Sequence, residues 1–153
     1  MSAASEAVVV LNADTGAGGA AKLLTGGIYD YDDLPRKGIN RIDIPEAYDS
    51  DGKLRPLAIV RERSAAPWTG RRDPVDGYVA VRVVVDITIL GDGDGGWDTL
   101  KAARARIQAL LDQHSTAGYW WLWSSDLSNI RDMALNDACL ERATYFAYGK
   151  RLG

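Results

Sequence analysis

The stretch Val79-Ala80-Val81-Arg82-Val83-Val84-Val85-Asp86-Ile87-Thr88-Ile89 decides the fold class. Its odd positions are all Val or Ile, while its even positions include Arg82, Asp86 and Thr88. Side chains alternate across a strand, so this period places one apolar face on a core and leaves a mixed face outside. Antiparallel sheets commonly read this way. Drawn from Val75 to Ile89, the strand would extend about 50 Å at the usual rise per residue. That exceeds the width of a small domain, so the strand is expected to bend or to project beyond the core.

Working outward, the residues after it turn and then become helical. Leu100, Ala103, Ile107, Leu110, Leu111 and His114 share one face of a helix expected from about Asp98 to His114, with Asp98 as its N-cap. Lys101, Gln108 and Asp112 lie opposite. Tyr119 to Trp123 reads as an aromatic strand. Ala138 to Tyr148 reads as a final strand, with Leu140, Thr144, Phe146 and Tyr148 on one side. Upstream, Leu57 to Val60 is a strand, turned by Ala66-Pro67-Trp68-Thr69-Gly70. Residues 31–56 are polar, broken by Pro35, Gly38, Pro45 and Gly52, and read as one long irregular connection. Gly26 to Asp30 suits a short strand. Ser2 to Asn12 suits a helix on Ala4, Ala7, Val8 and Leu11, although Val8-Val9-Val10 also favours a strand. The sum is a single α+β domain over residues 1–153. It has an antiparallel or mixed β-sheet with helices packed mainly on one face.

The totals bound the function. The 153 residues suffice for one core. The net charge of −3 argues against a general affinity for nucleic acid, which needs an excess of Lys and Arg to neutralise phosphates. Cys139 is the only cysteine, so no disulfide forms within the chain. No apolar run approaches the roughly 20 residues that span a bilayer. MSAASEAVVVL lacks the basic start of a signal peptide, and synthesis and use in a reducing cytoplasm are expected.

Five constellations could carry chemistry. Leu90 to Leu100, LGDGDGGWDTL, begins like a calcium loop with Asp92 and Asp94. The position that needs Gly for the sharp turn is Trp97, and the terminal Glu position is Ala103, so the ligand set is incomplete. A glycine-rich turn with acidic decoration is expected there, with no metal and no cofactor. Gly16-Ala17-Gly18-Gly19-Ala20-Ala21 fits G-x-G-x-x-A, but Asn12 to Thr15 intervene after the apolar run and no βαβ unit follows. A link between elements is expected instead. His114, Ser124, Ser125 and Asp126 would be the parts of a hydrolase triad, without any G-x-S-x-G elbow. One His and one Cys make a poor zinc site. Last, Tyr119-Trp120-Trp121-Leu122-Trp123 puts Tyr119, Trp121 and Trp123 on one face and Trp120 and Leu122 on the other. One reading buries both faces in the core. The other gives one face to a second subunit or a partner, since Trp and Tyr dominate binding hot spots.

The order of elements, with Gly27-Ile28-Tyr29-Asp30, Leu34-Pro35, Leu57 to Val60, Val83 to Ile89, the helix Trp97 to Leu111 and the strand Leu140 to Phe146, resembles the tail-terminator (tail-completion) proteins of long-tailed phages. The resemblance implies a structural, non-enzymatic virion protein made in the host cytoplasm. It implies a homo-oligomeric ring, usually of about six copies, that caps the tail tube and joins it to the head-side connector. DNA would cross the lumen without specific binding, which a net acidic wall favours. Tyr119, Trp120, Trp121 and Trp123 are then candidates for the subunit or partner contact, and Asp92 and Asp94 form an acidic loop. Another neck component, such as an adaptor or head-closure protein, is the alternative. A small nucleotide-binding enzyme using Gly16 to Ala21 is the more distant one.

Overall fold

The computed structural model describes the chain apart from residues 35–43, 73–78, 94–95, 133–137 and 152–153. The opening helix, α1 (Ala3–Ala13), is capped by Ser2, whose hydroxyl accepts from the Ser5 backbone N–H at 3.1 Å. Its Ala3, Ala4 and Ala7 are buried, and such small side chains let the helix axis sit close to the sheet. The valine run Val8-Val9-Val10 is therefore helical, because Leu11 and the alanines form the apolar stripe that the core needs. The link that follows leads to α2 (Ala20–Leu23), and β1 (Gly27–Asp30) comes next.

Residues 31–56 are more ordered than one loop. They carry single 3-10 turns at Tyr31–Asp33 and Pro45–Ala47, and a bridge between Tyr48 and Leu54. Asp49 closes the tip by accepting from the backbone N–H of Asp51 and of Lys53, both at 2.9 Å. Residues 35–43 of this segment, with Pro35 and Gly38, lie outside the described residues.

Two long strands follow, β2 (Leu57–Arg72) and β3 (Val79–Gly91). The turn expected at Ala66 to Gly70 is not there, because β2 runs straight through it. A proline is tolerated in a strand at a free edge or a bulge. Both conditions hold: β1 flanks β2 only over Leu57 to Val60, and the register with β3 slips between Pro67 and Arg72. The expected start of the long strand near Val75 lies outside the described residues.

Helix α3 (Trp97–Leu111) buries Leu100, Ala103, Ile107 and Leu111. Its N-cap is Gly96, not Asp98. Asp98 lies in the first turn, where its charge still favours the positive helix end. The helix also stops earlier than expected. Gln113 takes a left-handed conformation with φ 58° and turns the chain back, so His114 is exposed and off the apolar face. Two more strands complete the fold, β4 (Tyr119–Asp132) and β5 (Ala138–Arg151).

All five strands form one mixed sheet in the order β1-β2-β3-β5-β4. Only the β1–β2 pair is parallel. The helices cover one face, where Val83, Val85, Ile87 and Ile89 of β3 meet Leu11, Leu100, Ile107 and Leu111. The sheet with helices on one face is the α+β architecture that the alternation implied. A smaller apolar cluster, with Ala47, Leu57, Leu90 and Leu140, closes one end of the opposite face under the 44–54 segment.

Candidate interaction surface

The aromatic strand sits at the edge of the sheet, and its two faces differ in fate. Trp121 is fully buried and meets Tyr145 edge-on with ring centroids 6.3 Å apart. Its indole N–H donates to the Thr116 hydroxyl at 3.0 Å. Room for these rings comes from β5. Trp121 stands opposite Ala147, and Tyr119 stands opposite Gly149. A Cβ at position 149 would lie 2.9 Å from the Tyr119 ring, so any larger residue there forces that ring to shift. Burial and nearby carboxylates, Glu62 and then Glu6, push the Tyr119 hydroxyl pKa up. Of the expected contact residues, Trp121 is thus core and offers no surface to a partner.

Trp120 and Leu122 point to the helix-free face and remain 44% and 38% exposed. They stand beside Tyr148 and Phe146 of β5, which in turn stand beside Arg82 and Val84 of β3. The Arg82 guanidinium lies 4.7 Å from the Phe146 ring centroid, a cation–π contact. The middle of this face is polar: Thr144 donates to Asp86 at 2.7 Å, and Arg63 reaches Asp86 at 3.3 Å. So the helix-free face is aromatic at one end, polar in the middle and covered at the other end. Trp123, 37% exposed, stays on the helix side, where its indole N–H donates to Asp126 at 3.0 Å.

The outer edge of β4 is blocked over its first half only. The segment after α3 lies along it: Gln113 N–H donates to the Trp121 carbonyl, Trp121 N–H to the His114 carbonyl, and Trp123 N–H to the Asp112 carboxylate. From Ser125 onward, no strand among the described residues pairs with this edge. Two irregularities, at Trp123/Ser125 and Leu127/Ile130, reshape that open half. The second is held by Glu141, a fully buried carboxylate on the helix side of β5. It accepts from Ser128 Oγ at 2.7 Å, Asn129 N–H at 2.6 Å and Arg104 Nη1 at 3.2 Å. Sequence reading missed Glu141. Its signal was position: it falls among Cys139, Ala143, Tyr145 and Ala147, on the buried side of the alternation.

The remaining candidates do not gather into a site. Asp92 is half-buried beside the turn into α3, and Asp94 lies outside the described residues. Among the described residues, no group of three or more His, Cys, Asp or Glu could hold a metal. The Gly16 to Ala21 stretch joins two helices, with no strand before it. Beside it Asp14 accepts from Ala20 N–H at 2.7 Å and pairs with Arg106 through two contacts of 2.8 Å. The Arg106 hydrogen bonds, and next the Ala20 N–H, lower the Asp14 pKa to about 2. His114 and Asp126 are not brought together as a triad. The His114 ring nitrogen Nδ1 lies 2.8 Å from the Asp112 carbonyl, and Asp126 is engaged by Trp123 and by Arg104 at 3.6 Å. Cys139 is buried, and burial raises its thiol pKa.

No family model and no curated protein matches the sequence. Among solved structures the fold is similar to a chain in the virion of a native gene transfer agent particle, with a TM-score of 0.54 and 15% identity. The likeness covers 98% of this chain and 96% of that one. At this identity it establishes a shared fold.

Proposed function

We propose that this chain is a structural subunit of a phage-type virion, and that it forms the ring that closes the tail tube and joins it to the head-side connector. The observation that carries the reading is the fold likeness, running over nearly the whole of both chains, to a chain of a virion particle. The aromatic strip of Trp120 and Leu122, left bare on the helix-free face, supports assembly with other chains. On this reading the protein works through contacts. It catalyses nothing, takes no cofactor and lets DNA pass through a hexameric ring without specific binding. A closed ring needs a head-to-tail interface, in which two different surfaces of each subunit meet.

The deciding experiment adds the purified protein to tails that lack it. Binding to the tail ends and recovery of head joining are expected. Binding to the head-side connector alone would move the protein to the adaptor or head-closure role. Binding to neither would end the virion-neck reading.

A further inference from the structure

We propose that copies of this chain join edge to edge, the open half of β4 in one copy pairing with the open stretch of β2 in the next. The inference rests on the ring reading and deepens it by naming the surfaces that meet.

The sheet has two open edges, and they lie on opposite sides. One is β4 from Ser125 onward. The other is β2 beyond Val60, where no strand among the described residues flanks it and residues 61–66 are all exposed. Unpaired strand edges are templates for pairing with another chain, and folded proteins usually block them. Here the blocking is partial on both sides.

The two edges also match in direction. From β2 through β3 and β5 to β4, every step is antiparallel, so β4 runs opposite to β2. A second copy in the same orientation therefore presents an antiparallel partner, with its helices on the same side of the joint sheet.

The blocked portions dictate a stagger. Ser125 is level with Thr144, Asp86 and Arg61 across the sheet. The open half of β4 is thus level with the part of β2 that β1 covers. The open stretch of β2 is level with the blocked half of β4, because Trp123 aligns with Tyr145, Val85 and Glu62. Copies that met without sliding would bring β1 against the open half of β4. Sliding by about five residues, roughly 17 Å, brings open edge to open edge. A constant offset of this kind accompanies the strand tilt of a sheet closed on itself.

The test uses two full-length variants read by native mass. One carries Ser125→Lys and Leu127→Lys on β4; the other carries Ser64→Lys and Ala66→Lys on β2. All four positions are exposed, and a thermal melt checks folding. Each variant alone should remain a monomer, and their mixture should stop at a dimer, since each retains one intact edge. Rings made by either variant, or no dimer in the mixture, would overturn the edge pairing while leaving the ring reading intact. A wild-type chain that stays monomeric, both concentrated and on tail tubes, would overturn both. Hydrogen exchange on the wild-type assembly gives a second readout that needs no variant. The amides of Ser64 to Ala66 and Ser125 to Leu127 should slow on assembly, and unchanged exchange there would overturn the pairing.

Discussion

Replacing Glu141 by alanine tests how the open half of β4 is held. The carboxylate is fully buried and accepts from Ser128, Asn129 and Arg104. Hydrogen bonds to a charged group contribute about 1.5–3 kcal/mol each. The full sum does not apply. Ser128 and Asn129 are exposed enough for water to replace part of the loss, and Arg104 keeps Asp126 at 3.6 Å. Alanine also relieves the desolvation of a buried carboxylate, which offsets part of the cost. The net loss should be about 2–3 kcal/mol, including the small cavity left behind. For a chain of this size that corresponds to a fall in Tm of roughly 5–10 °C. Glu141→Gln keeps the shape and one acceptor and should lose about half as much. Thermal melting with hydrogen exchange at Asn129 is the assay. The Asn129 amide should exchange slowly in the wild type, where it donates to Glu141, and freely in Glu141→Ala. An unchanged Tm, or a Glu141→Gln protein more stable than the wild type, would mean that the charge is a burden that the bulge does not need.

Other perturbations report on the rest of the fold. Gly149→Ala drives a Cβ to 2.9 Å from the Tyr119 ring and should cost about 1–3 kcal/mol, read from the denaturant midpoint. Val83→Asp places an unpaired carboxylate in the core, so no soluble folded protein is expected. Asp86→Ser, on the helix-free face, should fold and melt only slightly lower; equal expression and melting of the two variants would mean the strand register is wrong. Asp14→Asn removes a carboxylate whose pKa is lowered to about 2 by Arg106. Because the folded pKa lies below the unfolded one, near 3.8, the charged form's contribution is present at neutral pH and fades as pH falls from about 4 to 2. The variant should therefore be less stable than the wild type at pH 7 and converge with it near pH 2 in urea titrations.

Local repetition is legible in the residues alone. The period of two in Val79 to Ile89 and the helical spacing of Leu100, Ala103, Ile107 and Leu111 marked the central strand, the main helix and their buried sides, whereas in the final strand the face of Leu140, Thr144, Phe146 and Tyr148 is the helix-free one and Cys139, Ala143, Tyr145 and Ala147 are buried in the main core. Those signals need only the geometry of one element. The split of the aromatic strand into two faces was also right, because alternation is a property of the strand itself.

Where each element lies follows from the three-dimensional packing, because pairing joins residues far apart in the chain. Trp121 could become core because Ala147 and Gly149, on another strand, are small enough to make room. Pro67 could stay inside β2 because pairing with β1 on that side stops at Val60. His114 left the apolar face because Gln113 reversed the chain to reach β4. Glu141 reads as one more polar residue until Ser128, Asn129 and Arg104 converge on it. In each case the energy comes from a contact between distant residues, and no local period encodes which distant residue will arrive.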